Sequence, residues 1–211
     1  FGRRMSTEAN KLSVLGHIGE LRNRLVRSVI VVAVTVTISF AFYQQLFQVL
    51  LVPAPPGISL QAIKMTEMIG ATMRVVLISG FILAMPYLTY ELIMFVSPGL
   101  TRQEKKYVYL ILPWIALMFA AGVAFAYFVL VPRITGFLIS WGSDIVSIQP
   151  TFSDYVNVVT RLLLAVGLVF EMPVVTTFLA RIGIIKPNWL SDGRKPAIIV
   201  AFILAAMVTP T

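Results

Sequence analysis

The stretch LLLAVGLVFEMPVVTTFL, from Leu162 to Leu179, is apolar along most of its length and carries one carboxylate, Glu171, near its middle. A helix that crosses a hydrocarbon layer about 30 Å thick needs about 20 mostly apolar residues, and this stretch approaches that length. At the centre of such a layer a charged side chain costs roughly +2.5 to +3.5 kcal/mol on insertion scales. An acid kept at that cost marks a functional position whose partner has to be found.

Three more runs have the length of a span: Leu25 to Tyr43, Val75 to Phe95 and Tyr107 to Val131. A fifth, Ala197 to Val208, reaches only about two thirds of the way across at about 1.5 Å per residue. Composition agrees: 58% of the 211 residues are hydrophobic and 12% charged, with mean hydropathy +0.90. Soluble chains carry about 25% charged residues. The sequence therefore predicts an all-α, multi-pass protein of the lipid bilayer, built as one transmembrane domain over residues 1–211. Its expected divisions are a cytoplasmic tail (1–12), an amphipathic lead-in with helix 1 (13–43), an outer loop (44–66), helix 2 (67–96), a cytoplasmic loop (97–104) and helix 3 (105–131). An outer loop (132–152), helix 4 (153–182), a cytoplasmic loop (183–195) and helix 5 (196–211) complete them.

Charge placement predicts the orientation. Most of the 17 lysines and arginines fall before the first span, between the second and third, or between the fourth and fifth. Only Lys64, Arg74, Arg133 and Arg161 lie on the other side or enter spans from it. The positive-inside rule puts the basic side, and the N-terminus, in the cytoplasm. The net charge of +8 is thus a topology signal. No basic stretch is interleaved with stacking aromatics, so nucleic acid is not an expected partner.

The chain has no cysteine, which excludes disulfides and thiolate metal sites. Arg3-Arg4 is followed by polar STEANK, where an export signal would have an apolar core. No Ser/His/Asp set, HExxH pair, Walker A loop or dinucleotide glycine fingerprint appears, so neither enzymatic chemistry nor a cofactor is expected. His17, the only histidine, reads as a surface residue of an amphipathic helix.

One internal echo is present. Thr66-Glu67 leads to Arg74 and then Pro86; Ser153-Asp154 leads to Arg161 and then Pro173, at the same spacings. Outer caps with snorkelling arginines account for it, and so does a repeat of two helical hairpins. Ala84 stands where the later helix has Glu171.

Two readings are open for each acid. Glu171 is either packing glue hydrogen-bonded to a neighbouring helix, or a station facing a cavity or a polar group on another subunit. Pro173 deprives the carbonyl of Val169 of its donor beside it. Glu104 completes a capping box with Thr101, and Glu20 pairs with Arg24 at i+4, yet together they form a carboxylate pair on an otherwise basic surface. Such a pair suits a guanidinium. Glu91, near the inner end of the second span, is expected to be exposed at the interface. The outer loop holds Pro53, Pro55, Pro56 and Gly57, which break any helix there, while Leu46 to Val52 reads as a short amphipathic turn.

His17-Ile18-Gly19-Glu20-Leu21-Arg22-Asn23-Arg24-Leu25 resembles the N-terminal signature of the TatC family, the membrane receptors of the twin-arginine protein translocase. The likeness continues through Thr66-Glu67, Phe95-Val96-Ser97-Pro98-Gly99-Leu100, Glu104, Phe125-Ala126-Tyr127-Phe128, Val169-Phe170-Glu171-Met172-Pro173 and Thr209-Pro210. The resemblance implies a cup of six transmembrane helices, about five of them in this chain and helix 6 absent, in a bacterial or archaeal cytoplasmic membrane. It implies that Glu20 and Glu104 bind the paired arginines of signal peptides on folded cargo, with Arg22 and Phe95 at or beside that site. It assigns Pro53 to the outer loop, and Glu171, Thr209 and Pro210 to a face for single-span TatA-like and TatB-like partners. Other TatC copies are implied as neighbours, and the proton-motive force as the energy source. The competing expectation is a proton-coupled small-solute transporter that uses Glu171.

Overall fold

The structure is a computed structural model and describes residues 2–55, 60–96, 102–141 and 149–181. Among these residues the architecture is all helical: α1 (Gly2–Ala41), α2 (Tyr43–Leu51), α3 (Glu67–Val96), α4 (Arg102–Phe125), a π-helical turn (Ala126–Leu130), α5 (Val131–Ser140) and α6 (Phe152–Arg181). One isolated parallel bridge joins Gln61 to Thr151. Among the described residues, four spans are long and apolar enough to cross a membrane: Ile18–Ala41, Glu67–Phe95, Ile111–Ser140 and Phe152–Ala180. Expected helix 5, at 196–211, lies outside the described residues.

α1 runs unbroken from the charged N-terminal segment into the first span and packs chiefly on α3. Its apolar side chains Leu25, Val29, Ile30 and Val34 are exposed. In water that face would be a liability; against lipid tails it costs nothing, because the tails are as apolar as leucine. The remaining helices pack α4 on α6 and α3 on both. Glycines set the close approaches. A Cβ on Gly80 would lie 2.6 Å from the Cα of Val36, and one on Gly122 would lie 2.7 Å from the Cβ of Phe170. Backbones meet here because side chains are missing.

The third span ends later than the sequence predicts. Helix 3 is expected to end at Val131, before Pro132, yet the chain stays helical to Ser140. The π turn immediately before Pro132 supplies the reason: a widened turn absorbs the proline ring, which would clash with the preceding turn of a regular helix. Buried positions along this span are Ile115, Phe119, Gly122, Ala126, Val131 and Thr135. They step by three or four residues except for the five-residue step across the π turn. That step keeps one face turned to the core.

At the end of the bundle away from the start of α1, the core gathers Leu50, Val75, Ala126, Val131, Tyr155 and Val159. The short helix α2 closes this end. Tyr127 donates its hydroxyl hydrogen to the carbonyl of Val49 at 2.6 Å, and Tyr155 donates to that of Leu50 at 2.9 Å. Both carbonyls belong to the last turn of α2, where the regular i+4 amide bond is missing, and that of Val49 also takes the Val52 amide of the helix cap. Pro53 sits in the turn that follows, between the bonds Val52 N to Val49 O (3.3 Å) and Ala54 N to Leu51 O (3.0 Å).

The acids of the internal echo are used unequally. Asp154 pairs within its own first turn: Thr151 donates to its Oδ2 at 2.7 Å. Glu67 reaches another helix, because its Oε1 accepts the Ser153 amide at 2.9 Å while Oε2 accepts that of Ile63 at 2.8 Å. The carboxylate at the start of α3 therefore caps the start of α6.

Candidate functional site

Polar side chains collect at two places. The first is the basic end of the bundle, where α1 enters and α3 finishes. Glu20 and Arg24 are one turn apart on α1, so they share a face. Arg24 donates to Glu20 Oε1 from both Nε (3.0 Å) and Nη2 (2.6 Å). Its Nη1 donates to Glu91 Oε2 on α3 at 2.7 Å. Tyr87, one turn before Glu91, donates its hydroxyl hydrogen to the other oxygen at 2.7 Å. One planar guanidinium thus joins two helices through two carboxylates, a task suited to its fork of donors.

Glu91 corrects the sequence reading. Expected at the interface, it is only 5% exposed and fully engaged by Arg24 and Tyr87. A reading along the chain gives an acid near a helix end its usual solvated state. The available signal was the tyrosine one turn earlier on an apolar helix, which announces a buried acceptor.

Glu20 stays accessible, with 38% of its side chain exposed. It borders an open groove of about 420 Å³ lined by Gly19, Glu20, Asn23, Arg24 and Arg27. Of the other expected site residues at this end, Arg22 is exposed on α1 and Phe95 is partly buried near the end of α3. Glu104 lies in the first turn of α4, and its side chain is outside the described residues, as is Thr101.

The second place is inside the apolar layer. Glu171 on α6 is 4% exposed and its Oε2 accepts the hydroxyl hydrogen of Thr89 on α3 at 2.5 Å. Its Oε1 is shielded from solvent and has no hydrogen-bond partner among the described residues. A basic-end cluster of Ile93, Ile115 and Phe178 shares the same three-helix seam of α3, α4 and α6. Thr89 was not singled out from the sequence, because a lone threonine in a span ordinarily bonds its own helix backbone, as Thr72 and Thr160 do here. Thr209 and Pro210 lie outside the described residues. Among the described residues no group of His, Cys, Asp and Glu could hold a metal ion.

The family model described as Sec-independent protein translocase protein (TatC) matches residues 16–211. The chain belongs to the TatC family. It is 40% identical over 210 residues to a Sec-independent protein translocase protein TatC of Desulforapulum autotrophicum, covering 98% of this chain and 78% of that one. A TatC of Halothiobacillus neapolitanus is 36% identical, over 96% of this chain and 57% of that one. The fold matches the crystal structure of a twin-arginine translocase receptor, TatC, with a TM-score of 0.83 at 32% identity, over 92% of this chain and 89% of that one.

The chain is therefore a multi-pass membrane subunit of the twin-arginine, Sec-independent protein translocase, and TatC membership implies assembly with other translocase components. A small-solute carrier, the competing expectation, finds no support in the family or in the fold.

Proposed function

We propose that this subunit is the receptor for twin-arginine signal peptides, capturing their two arginines at Glu20 and Glu104 on the cytoplasmic side. The observation that carries the reading is Glu20: an accessible carboxylate already bound to an arginine, at the edge of an open groove. A site that holds one guanidinium with good geometry suits another. The concentration of lysine and arginine at this end supports a cytoplasmic N-terminus in a bacterial or archaeal inner membrane. Arg22 and Phe95 flank the site, and Pro53 shapes the loop on the opposite side.

After capture, the apolar part of the signal lies along the bundle toward Glu171. That acid, with Thr209 and Pro210, serves single-span TatA-like and TatB-like partners beside other TatC copies, and the proton-motive force drives export of folded cargo. Oε1 of Glu171 accepts no hydrogen bond among the described residues, so a partner's polar group would satisfy it once the seam between α3 and α6 opens. The same reading treats residues 1–211 as one transmembrane domain whose fifth helix occupies 196–211.

Photocrosslinking of a twin-arginine signal peptide to the wild type, Glu20→Ala, Glu104→Ala and the double variant tests the assignment. Crosslinking should fall in each single variant and vanish in the double. Undiminished crosslinking in the double variant rejects the site.

A further inference from the structure

The groove at the basic end presents a charge problem for an arginine ligand. Among the described residues its lining carries two arginines, Arg24 and Arg27, against one carboxylate, that of Glu20. Arg24 already occupies that carboxylate, so the pair is neutral and Arg27 tips the wall positive. A positive wall repels a guanidinium.

Glu91 changes the balance from behind the wall. Its carboxylate takes Nη1 of Arg24, and Tyr87 fixes its second oxygen. Glu20, Arg24 and Glu91 then carry one net negative charge, and the accessible end of that trio is Glu20. The fork of Arg24 allows an exchange: Nη1 stays on Glu91 while the Nε and Nη2 edge releases Glu20.

We infer that Glu91 is a buried counter-charge that retains Arg24 and thereby frees the negative charge of Glu20 for an incoming arginine. It is a positioning residue for cargo recognition, since at 6% side-chain exposure it does not reach the groove. Arg24 is the resident occupant that satisfies Glu20 while the groove is empty. The inference rests on the reading of Glu20 as the acceptor of a cargo arginine.

The test measures binding of a fluorescent synthetic peptide, two consecutive arginines followed by an apolar segment, to the full chain in detergent micelles. A peptide with two lysines in their place gives the background. Glu91→Gln keeps the shape of the site and one of its two acceptor oxygens but leaves Arg24 to neutralise Glu20, so affinity should drop about tenfold. Arg24→Gln with Glu91→Gln removes both charges, restores the lone negative charge of Glu20, and should recover affinity to within about threefold of wild type. A residue that only packs α1 on α3 gives no such rescue.

If Glu91→Gln and the double variant bind equally weakly, or if Glu91→Gln binds like wild type while Glu20→Gln does not, the counter-charge role is overturned and the acceptor role of Glu20 stands. If Glu20→Gln binds like wild type, both fall. Should Glu91→Gln fail to elute as a folded protein, the double variant, which buries neither charge, decides alone: recovery supports the inference and a tenfold loss overturns it.

Discussion

Thr89 and Glu171 meet across the seam between α3 and α6, hydroxyl to carboxylate at 2.5 Å, in the half of the layer where each helix carries a proline. The bond joins the helices side chain to side chain where Pro86 and Pro173 each remove an amide from the backbone ladder. Thr89→Val keeps the shape and removes the donor, so it should destabilise the protein by about 1 kcal/mol, within the range for interhelical bonds in membranes. Glu171→Gln, which can still accept from Thr89, should cost less. Thermal unfolding in micelles checks the order, and equal stabilities would show that the bond contributes nothing.

Gly80 and Gly70 lie ten residues apart on α3 and should respond oppositely to the same change. An alanine at 80 drives its Cβ into the backbone of Val36, while at 70 nothing lies within 4 Å. Gly80→Ala should lower stability by about 1 to 3 kcal/mol through overpacking of α1 on α3. Gly70→Ala should be neutral or stabilising by up to about 1 kcal/mol, since alanine is the better helix former. Unfolding temperatures of the two variants decide the matter.

The hydroxyls of Tyr127 and Tyr155 hold adjacent carbonyls at the end of α2. Tyr155→Phe, which leaves a buried carbonyl without its donor, should cost about 1 to 3 kcal/mol. The double phenylalanine variant should also loosen α2. Because the chain has no cysteine, Gln48→Cys gives a unique label on the exposed side of that helix. Its spin-label spectrum should sharpen in the double variant and stay broad in the parent.

Glu67 joins the loop before α3 to the first turn of α6, and its charge is the reason three amides converge on it. Glu67→Gln keeps one acceptor oxygen where the carboxylate has two. Amide exchange at Ser153, Ile63 and Lys64 should therefore accelerate, while exchange within the buried middle of α6 should not. Uniform acceleration along α6 would mean that the residue acts on global stability instead.

The sequence made the spans legible because length and apolarity are properties of a continuous stretch, and Leu162 to Leu179 announces a membrane helix without help from the rest of the fold. Glu171 was equally legible as a costly acid. Its partner was not, because Thr89 lies on another helix and threonine is at home in any span. Glu91 failed for the same reason: Arg24 is far from it in the chain, and only the packing of α1 on α3 brings the two together. The extension past Pro132 was hidden because a proline normally ends a helix, and nothing local says that a widened turn will absorb it. Contacts between helices were the part that required coordinates.

The widened turn at 126–130 also bears on how this chain is to be aligned with others. It behaves as a one-residue insertion whose disturbance is confined to a single turn, with the same inward face before and after it. A relative built with a regular helix in this place should align through a gap of one position there, with matching buried residues on both flanks. Deleting one residue from the turn by design would rotate Val131 and Thr135 by about 100° toward lipid, so the length of that turn sets which side of that end of the helix faces the rest of the protein.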